Sequence, residues 1–225
     1  MSGKSPSPNL KKCFMICVSI GNAAQLPNVL RLRAEMLELR LDLIREEPEK
    51  LFAWIPGDIR VIATCRPGGP GDRQRMDLLK ASVELGAGFL DLEIESSPEY
   101  FRELAGYAVE RGCRVIVSYH NSEQTPGRDR LTAIMDKAYQ MGASVAKIAT
   151  EVHTVEDIRN LFSLYDLPGR KVVIGMGEKG RITRVAAPYL GAEFTFAAPD
   201  DGPETAPGQL TYRRLKEIYE IIEPL

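Results

Sequence analysis

The chain has no surplus of either charge: 29 lysines and arginines stand against 31 aspartates and glutamates over 225 residues, a formal net charge of −2. Nucleic-acid surfaces normally carry a clustered basic excess, so that class of function is not predicted. Long apolar runs are missing too, with nowhere 18 uncharged apolar residues in a row, so no transmembrane helix is expected. The opening MSGKSPSPNLKK lacks an apolar core of signal-peptide length, and the expectation is a cytoplasmic protein. Its four cysteines, Cys13, Cys17, Cys65 and Cys113, form no CxxC pair, which argues against a disulfide framework or a structural zinc site. A phosphate-cradling GxGxxG is also absent after the first apolar run, where the chain reads SIGNAAQ, and that weakens an open dinucleotide-binding sheet.

What the chain does have is repetition of strand and helix. Short β-rich runs begin at Phe14, Met36, Val61, Phe89, Arg114, Val145, Lys171 and Glu193, and stretches of helical periodicity such as DRQRMDLLKASVELG and PEYFRELAGYAVERG separate them, several ending at glycine. Parallel strands cannot be joined by tight hairpins, so strict alternation implies right-handed crossovers, and eight such units favour an α/β fold of the (β/α)8 TIM-barrel class. We expect a single barrel domain over residues 14–225 behind an N-terminal tail, residues 1–13.

Strands of a parallel sheet are usually continuously apolar, because both faces are buried. Here polar groups interrupt them at a period of two. Glu38, Arg40 and Asp42 alternate with leucines in the second strand, Asp91, Glu93 and Glu95 with Leu90, Leu92 and Ile94 in the fourth, and the fifth ends in Ser118 and His120. If the leucine parity faces the helices, the charged parity points into the barrel, where an unpaired charge costs several kcal/mol. Taken alone, Asp91 and Glu93 suit an internally neutralised ion network equally well.

Lys147, inside VAKIAT, is harder to explain structurally. A lysine between alanine and isoleucine in a central strand is a rare burial, and burial moves an ammonium toward the neutral, imine-forming amine. His120 lies at the C-terminal end of the preceding strand, the catalytic rim of barrels, whereas His153 in the loop EVHT reads as a surface residue. Arg66 opens the rim loop PGGPGD and Arg184 follows the seventh strand. Arginines converging on one rim suit an anionic, oxygen-rich ligand. The segment TAPGQ, Thr205 to Gln209, is a turn that could close over the barrel mouth.

Together these pieces resemble the type I 3-dehydroquinate dehydratases, imine-forming lyases of the shikimate pathway. The matching motifs are ELRLD at Glu38–Asp42, TCR ending at Arg66, DLE at Asp91–Glu93, VSYHN around His120, AKIAT around Lys147, MGEKGRITR ending at Arg184, and TAPGQ. They occur in family order, and without a fused second domain the chain resembles the monofunctional form.

The resemblance implies dehydration of 3-dehydroquinate to 3-dehydroshikimate in aromatic amino-acid biosynthesis. Lys147 would be the imine former, His120 the proton carrier, and Glu38 would join them in the catalytic set. Arg184 and Gln209 would hold the substrate carboxylate, while Glu38, Arg40 and Arg66 would hold ring hydroxyls. Ser19 and Thr205 match further binding positions, and Asp91 and Glu93 would orient His120 and Lys147. The family uses no metal and no diffusible cofactor, so the small-molecule substrate is the expected partner, with no nucleic acid and no membrane; a homodimer is compatible. Two departures stand out: the family's glutamate after the rim arginine is missing, with Asp72 the available substitute, and the lid carries Asp200, Asp201 and Glu204. The competing readings are another class I imine-forming lyase or aldolase, with a phosphate site at MGEKG, and a barrel that binds a small acid without turning it over.

Overall fold

The computed structural model describes residues 14–222; the expected N-terminal tail, with Cys13, lies outside the described residues. Eight strands follow in order: β1 Ile16–Ile20, β2 Met36–Arg40, β3 Arg60–Thr64, β4 Phe89–Glu93, β5 Arg114–Asn121, β6 Val145–Glu151, β7 Lys171–Met176 and β8 Thr195–Ala197. Between and after them run α1 Leu26–Arg31, α2 Pro48–Phe52, α3 Asp72–Glu84, α4 Pro98–Glu110, α5 Arg128–Gln140, α6 Val155–Phe162, α7 Gly177–Leu190 and α8 Tyr212–Ile222. All neighbouring strands pair in parallel, in the order β7-β6-β5-β4-β3-β2-β1-β8. The Glu193 N–H donates to the Lys171 carbonyl at 2.9 Å, which brings the two ends of that order together. The fold is the (β/α)8 barrel.

Helix ends follow local chemistry. The Ser97 side chain accepts from the Tyr100 N–H ahead of Pro98 to start α4, and Thr154 and Asp157 form a reciprocal cap on α6. The chain leaves α3, α4 and α5 through Gly86, Gly112 and Gly142, all in the left-handed region, where a side chain would be strained.

The strand parity sorts the core. Val18, Leu37, Ala63, Leu90, Val117 and Ile148 face outward and pack in the shell beneath the helices. Cys17, Met36, Ile62, Phe89, Ile116, Val145 and Val172 face inward and plug the barrel at the N-terminal half of the strands, joined by Phe194 just before β8. Two residues further along six of those strands the inward position turns polar: Ser19, Glu38, Thr64, Asp91, Ser118 and Lys147, each buried. On β7 and β8 it stays apolar, as Ile174 and Phe196. The barrel therefore has an apolar floor and, above it, a polar arc of six positions closed by two apolar ones.

Several strands are shorter than their sequence runs. The β2 ladder ends at Arg40, so Asp42 leaves the strand and its carboxylate turns back on the Arg40 guanidinium at 2.7 and 3.0 Å. Likewise β4 ends at Glu93 and Glu95 is exposed, while β3 ends at Thr64, leaving Arg66 on the rim just past it. The barrel tapers into loops at this end, so alternation continues in sequence beyond the last paired residue.

Candidate active site

Lys147, on the last strand of the polar arc, is only 5% exposed. Its Nζ donates to Asp91 Oδ2 at 2.8 Å, lies 3.6 Å from Glu38 Oε1 and sits 4.4 Å from the centroid of the Phe196 ring. Both carboxylates are themselves fixed from behind. Ser118 Oγ donates to Asp91 Oδ1 at 2.5 Å, Thr64 Oγ1 to Glu38 Oε1 at 2.9 Å, and Ser19 Oγ to Glu38 Oε2. Burial pushes the Asp91 carboxyl up, but the charges of Lys147 and Arg66 outweigh it and hold it well below the usual carboxylate range. Glu38 is also held low, because Lys147 and Arg40 outweigh its burial. The lysine is thus paired with ionised carboxylates, a polar setting in place of the apolar one its sequence neighbours suggest.

His120, on the adjacent strand, is 28% exposed in its side chain and lines the same cavity. Its Nδ1 lies 3.0 Å from Glu93 Oε2 and 2.9 Å from Arg66 NH1. Burial and the positive charges of Arg66 and Lys147 push its pKa well below the ordinary histidine value, so the ring is neutral near pH 7. A neutral ring has two tautomers here: with Nδ1–H donated to Glu93, Nε2 is a bare acceptor; with Nδ1 accepting from Arg66, Nε2 carries the proton. Nε2 has no hydrogen-bond partner among the described residues, so the ring offers a base or an acid at one atom. Arg66 also pairs with Glu93 and lies 3.5 Å from Asp91, which ties the histidine and lysine halves together.

The opposite wall is basic but unpaired. Arg184 enters from α7, which packs on β7 so closely that a Cβ on Gly180 would stand 2.4 Å from the Gly175 carbonyl carbon; one turn on, Arg184 is driven into the interior at 2% exposure. Its NH2 donates to the Pro207 carbonyl at 3.3 Å, its buried Nε has no partner among the described residues, and burial lowers its pKa to about 10 against the opposing charge of Glu204. A buried guanidinium without a carboxylate is costly, and an anionic ligand would relieve it. Gln209 and Thr205 close the lid side: Gln209 Oε1 accepts from the Thr205 N–H at 3.0 Å, and Thr205 Oγ1 donates to Ser19 Oγ at 2.7 Å.

Glu38, Arg40, Arg66, Glu93, His120, Lys147, Arg184, Thr205 and Gln209 line one cavity of about 660 Å³ at the C-terminal end of the barrel. Ser19 and Asp91 are buried behind it, bonded to Glu38 and Lys147. His153 is exposed, its Nε2 against the Glu123 carbonyl at 2.7 Å. Asp72 reaches the cavity but is bonded to Arg75 at 2.9 Å with 78% of its side chain exposed. Two of the acidic lid residues turn away: Asp200 accepts from the Arg213 N–H at 3.0 Å, and Asp201 from Asn28; Glu204 is exposed, and its charge acts on Arg184. Among the described residues no group of three or more His, Cys, Asp or Glu side chains is placed to hold a metal ion.

Thr64, Phe196, Arg75 and Tyr100 also shape the site, and sequence reading did not single them out. Thr64 and Phe196 lie on the inward parity and were legible there. Arg75 carried a fainter signal, its spacing of four from Leu79 on the buried stripe of α3.

The model of the family described as type I 3-dehydroquinase matches residues 16–225. The chain belongs to the type I 3-dehydroquinase family. It is 35% identical over 198 residues to the 3-dehydroquinate dehydratase of Methanocaldococcus jannaschii and 37% identical over 199 residues to that of Methanococcus maripaludis, in each case covering 84% of this chain and 88% of the relative. The crystal structure of the 3-dehydroquinate dehydratase from Aquifex aeolicus superposes with a TM-score of 0.81 at 25% identity, covering 94% of this chain and 100% of that one. Among its described residues no helix is long and apolar enough to cross a membrane.

The MGEKG segment lies against the lid. At the start of α7 the Gly177 N–H donates to the Pro207 carbonyl at 3.2 Å, and Gly208 approaches so closely that a Cβ there would lie 2.2 Å from the Gly177 oxygen. The Gly177 N–H is therefore taken by the lid backbone.

Proposed function

We propose that this type I 3-dehydroquinase converts 3-dehydroquinate to 3-dehydroshikimate and water, with Lys147 as covalent catalyst and His120 as proton carrier. The observation that carries the residue assignment is the juxtaposition on adjacent strands of a buried lysine amine and a neutral imidazole in one cavity, opposite a buried guanidinium without a carboxylate.

The Lys147 amine, having given its extra proton to a neighbouring base, adds to the C3 ketone, and the resulting carbinolamine loses water to become an iminium. That iminium acidifies C2. His120 Nε2 takes the C2 proton, and the C–H electron pair moves into the enamine. The enamine then re-forms the iminium while the C1–O bond breaks, and the leaving hydroxyl receives the proton from His120 and departs as water. A second water hydrolyses the iminium, freeing product and lysine. Asp91 and Glu38 hold the lysine in place and balance its charge, Glu93 and Arg66 orient the imidazole, and Arg184 with Gln209 receives the carboxylate. Arg40, with Glu38 and Arg66, meets the ring hydroxyls, and Thr205 closes the lid through Ser19.

Borohydride trapping tests the assignment. Reductant added during turnover should abolish activity and add one ligand mass per chain, mapping to Lys147. The Lys147→Ala variant should neither trap nor turn over, whereas a change at Lys80, which pairs with Glu103 on the surface, should leave both intact. Adduct on another residue, or turnover indifferent to borohydride, refutes the role of Lys147.

A further inference from the structure

The cavity lining also holds buried polar side chains that are not among the reacting groups. Arg75, on α3, is 6% exposed, and Tyr100, on α4, is 7% exposed; both line the cavity. The Arg75 guanidinium lies 4.9 Å from the centroid of the Tyr100 ring, and its Nε donates to the Cys65 carbonyl at 3.0 Å, which fixes its plane. Its carboxylate partner, Asp72, is an exposed side chain, and an exposed ion pair is weak and easily exchanged. The Tyr100 hydroxyl is buried and has no hydrogen-bond partner among the described residues. Buried hydroxyls normally find a partner, so one left without any beside a fixed guanidinium marks a place for a ligand oxygen. Burial raises the phenol to about 12 against the charge of Arg75, so it stays protonated and can donate. Ser96 and Ser97 line the same cavity.

We propose that Arg75 and Tyr100 form an outer subsite that binds the carboxylate of a small hydroxylated acid while the imine centre is itself occupied. Three features support it together: an arginine held flat by a backbone carbonyl, a phenol with a hydrogen bond to give, and a cavity of about 660 Å³, in the range that encloses drug-sized ligands and larger than one small ring acid needs. Arg184 and Lys147 take the reacting molecule; Arg75 and Tyr100 take a second one beside it. None of the reacting groups belongs to the outer pair, so it can be altered without touching the chemistry.

The inference rests on the lysine-imine reading, and the test separates the two. The enzyme is first inactivated with 3-dehydroquinate and borohydride, which fills the inner site covalently. Quinate, in which a hydroxyl replaces the ketone and no imine can form, is then titrated by calorimetry onto the purified adduct. We expect one equivalent to bind, and Tyr100→Phe, which removes only the hydroxyl, to weaken it roughly tenfold while leaving adduct yield unchanged. Arg75→Gln should abolish it; because Arg75 also holds the Cys65 carbonyl, that variant is read only if its adduct yield matches wild type. Failure of the first step to form adduct overturns the imine reading. Normal adduct that takes up no quinate, or takes it up equally well in the Tyr100→Phe variant, overturns the outer subsite.

Discussion

Replacing Lys147 by methionine keeps most of the side-chain volume and removes the charge, so it isolates the electrostatics of the polar arc. Asp91 would lose its 2.8 Å partner and Glu38 the ammonium 3.6 Å away. Ser118, Thr64 and Ser19 would still donate to the two carboxylates, and Arg66 would remain 3.5 Å from Asp91. Removing one partner of a buried pair typically costs about 3–5 kcal/mol, because the other charge is left uncompensated; for a chain of this size that lowers Tm by roughly 10 °C. The pH dependence then distinguishes lost pairing from lost packing. In the wild type Asp91 and Glu38 are depressed, so their contribution is fully present above their unfolded pKa and is lost only as pH falls through the folded values. In Lys147→Met burial acts with less opposition and raises both, so the penalty is present above the raised values and is relieved by protonation as pH falls toward the unfolded ones. Urea unfolding of both proteins at pH 7.5 and pH 5 should show a stability gap that narrows on acidification, and adding Asp91→Asn to the variant should recover part of it. A gap of under 1 kcal/mol at pH 7.5, or one that widens at pH 5, contradicts the ion-pair account.

Further outcomes follow from the same geometry. His120→Ala should still form the borohydride-trapped adduct while single-turnover dehydration slows by about 10²–10⁴, the usual worth of a positioned acid or base; a near-normal rate removes His120 from proton transfer. Because His120 is pushed below the ordinary histidine value of 6.5, kcat/KM should stay flat as pH falls from 7 to 6, with its acid limb lying lower; a limb centred at 6.5 speaks against the buried, cation-flanked imidazole. Gly208→Ala places a Cβ 2.2 Å from the Gly177 oxygen at a φ of +77°, so the lid must lift from α7, and KM should rise several-fold with little change in thermal stability; unchanged kinetics would mean the lid contact is dispensable.

The sequence by itself determined the barrel, through eight alternations of strand and helix, and it determined which face of each strand is inside, because a period of two is a property of the extended chain alone. That is why Glu38, Asp91, His120 and Lys147 could be placed together from spacing. Arg184 and TAPGQ lie in a helix and a loop where parity says nothing; their places after the seventh and eighth strands put them at the rim, and the family motifs added their carboxylate-binding and lid roles. Tertiary structure decided the rest. Strand pairing stops short of the alternating pattern, which turns Asp42 onto Arg40 and sends Glu95 to the surface. Burial and pairing are properties of several elements at once: Lys147 sits among ionised carboxylates because β2 and β4 bring them within reach across the barrel, and Arg184 is interior because two glycines let α7 close on β7. Arg75 and Tyr100 come from consecutive helices whose distance in the chain carries no record of their contact. Local periodicity fixes which way a side chain points, whereas the field it experiences depends on charges supplied by other strands, and only the closed barrel brings those within a few ångströms.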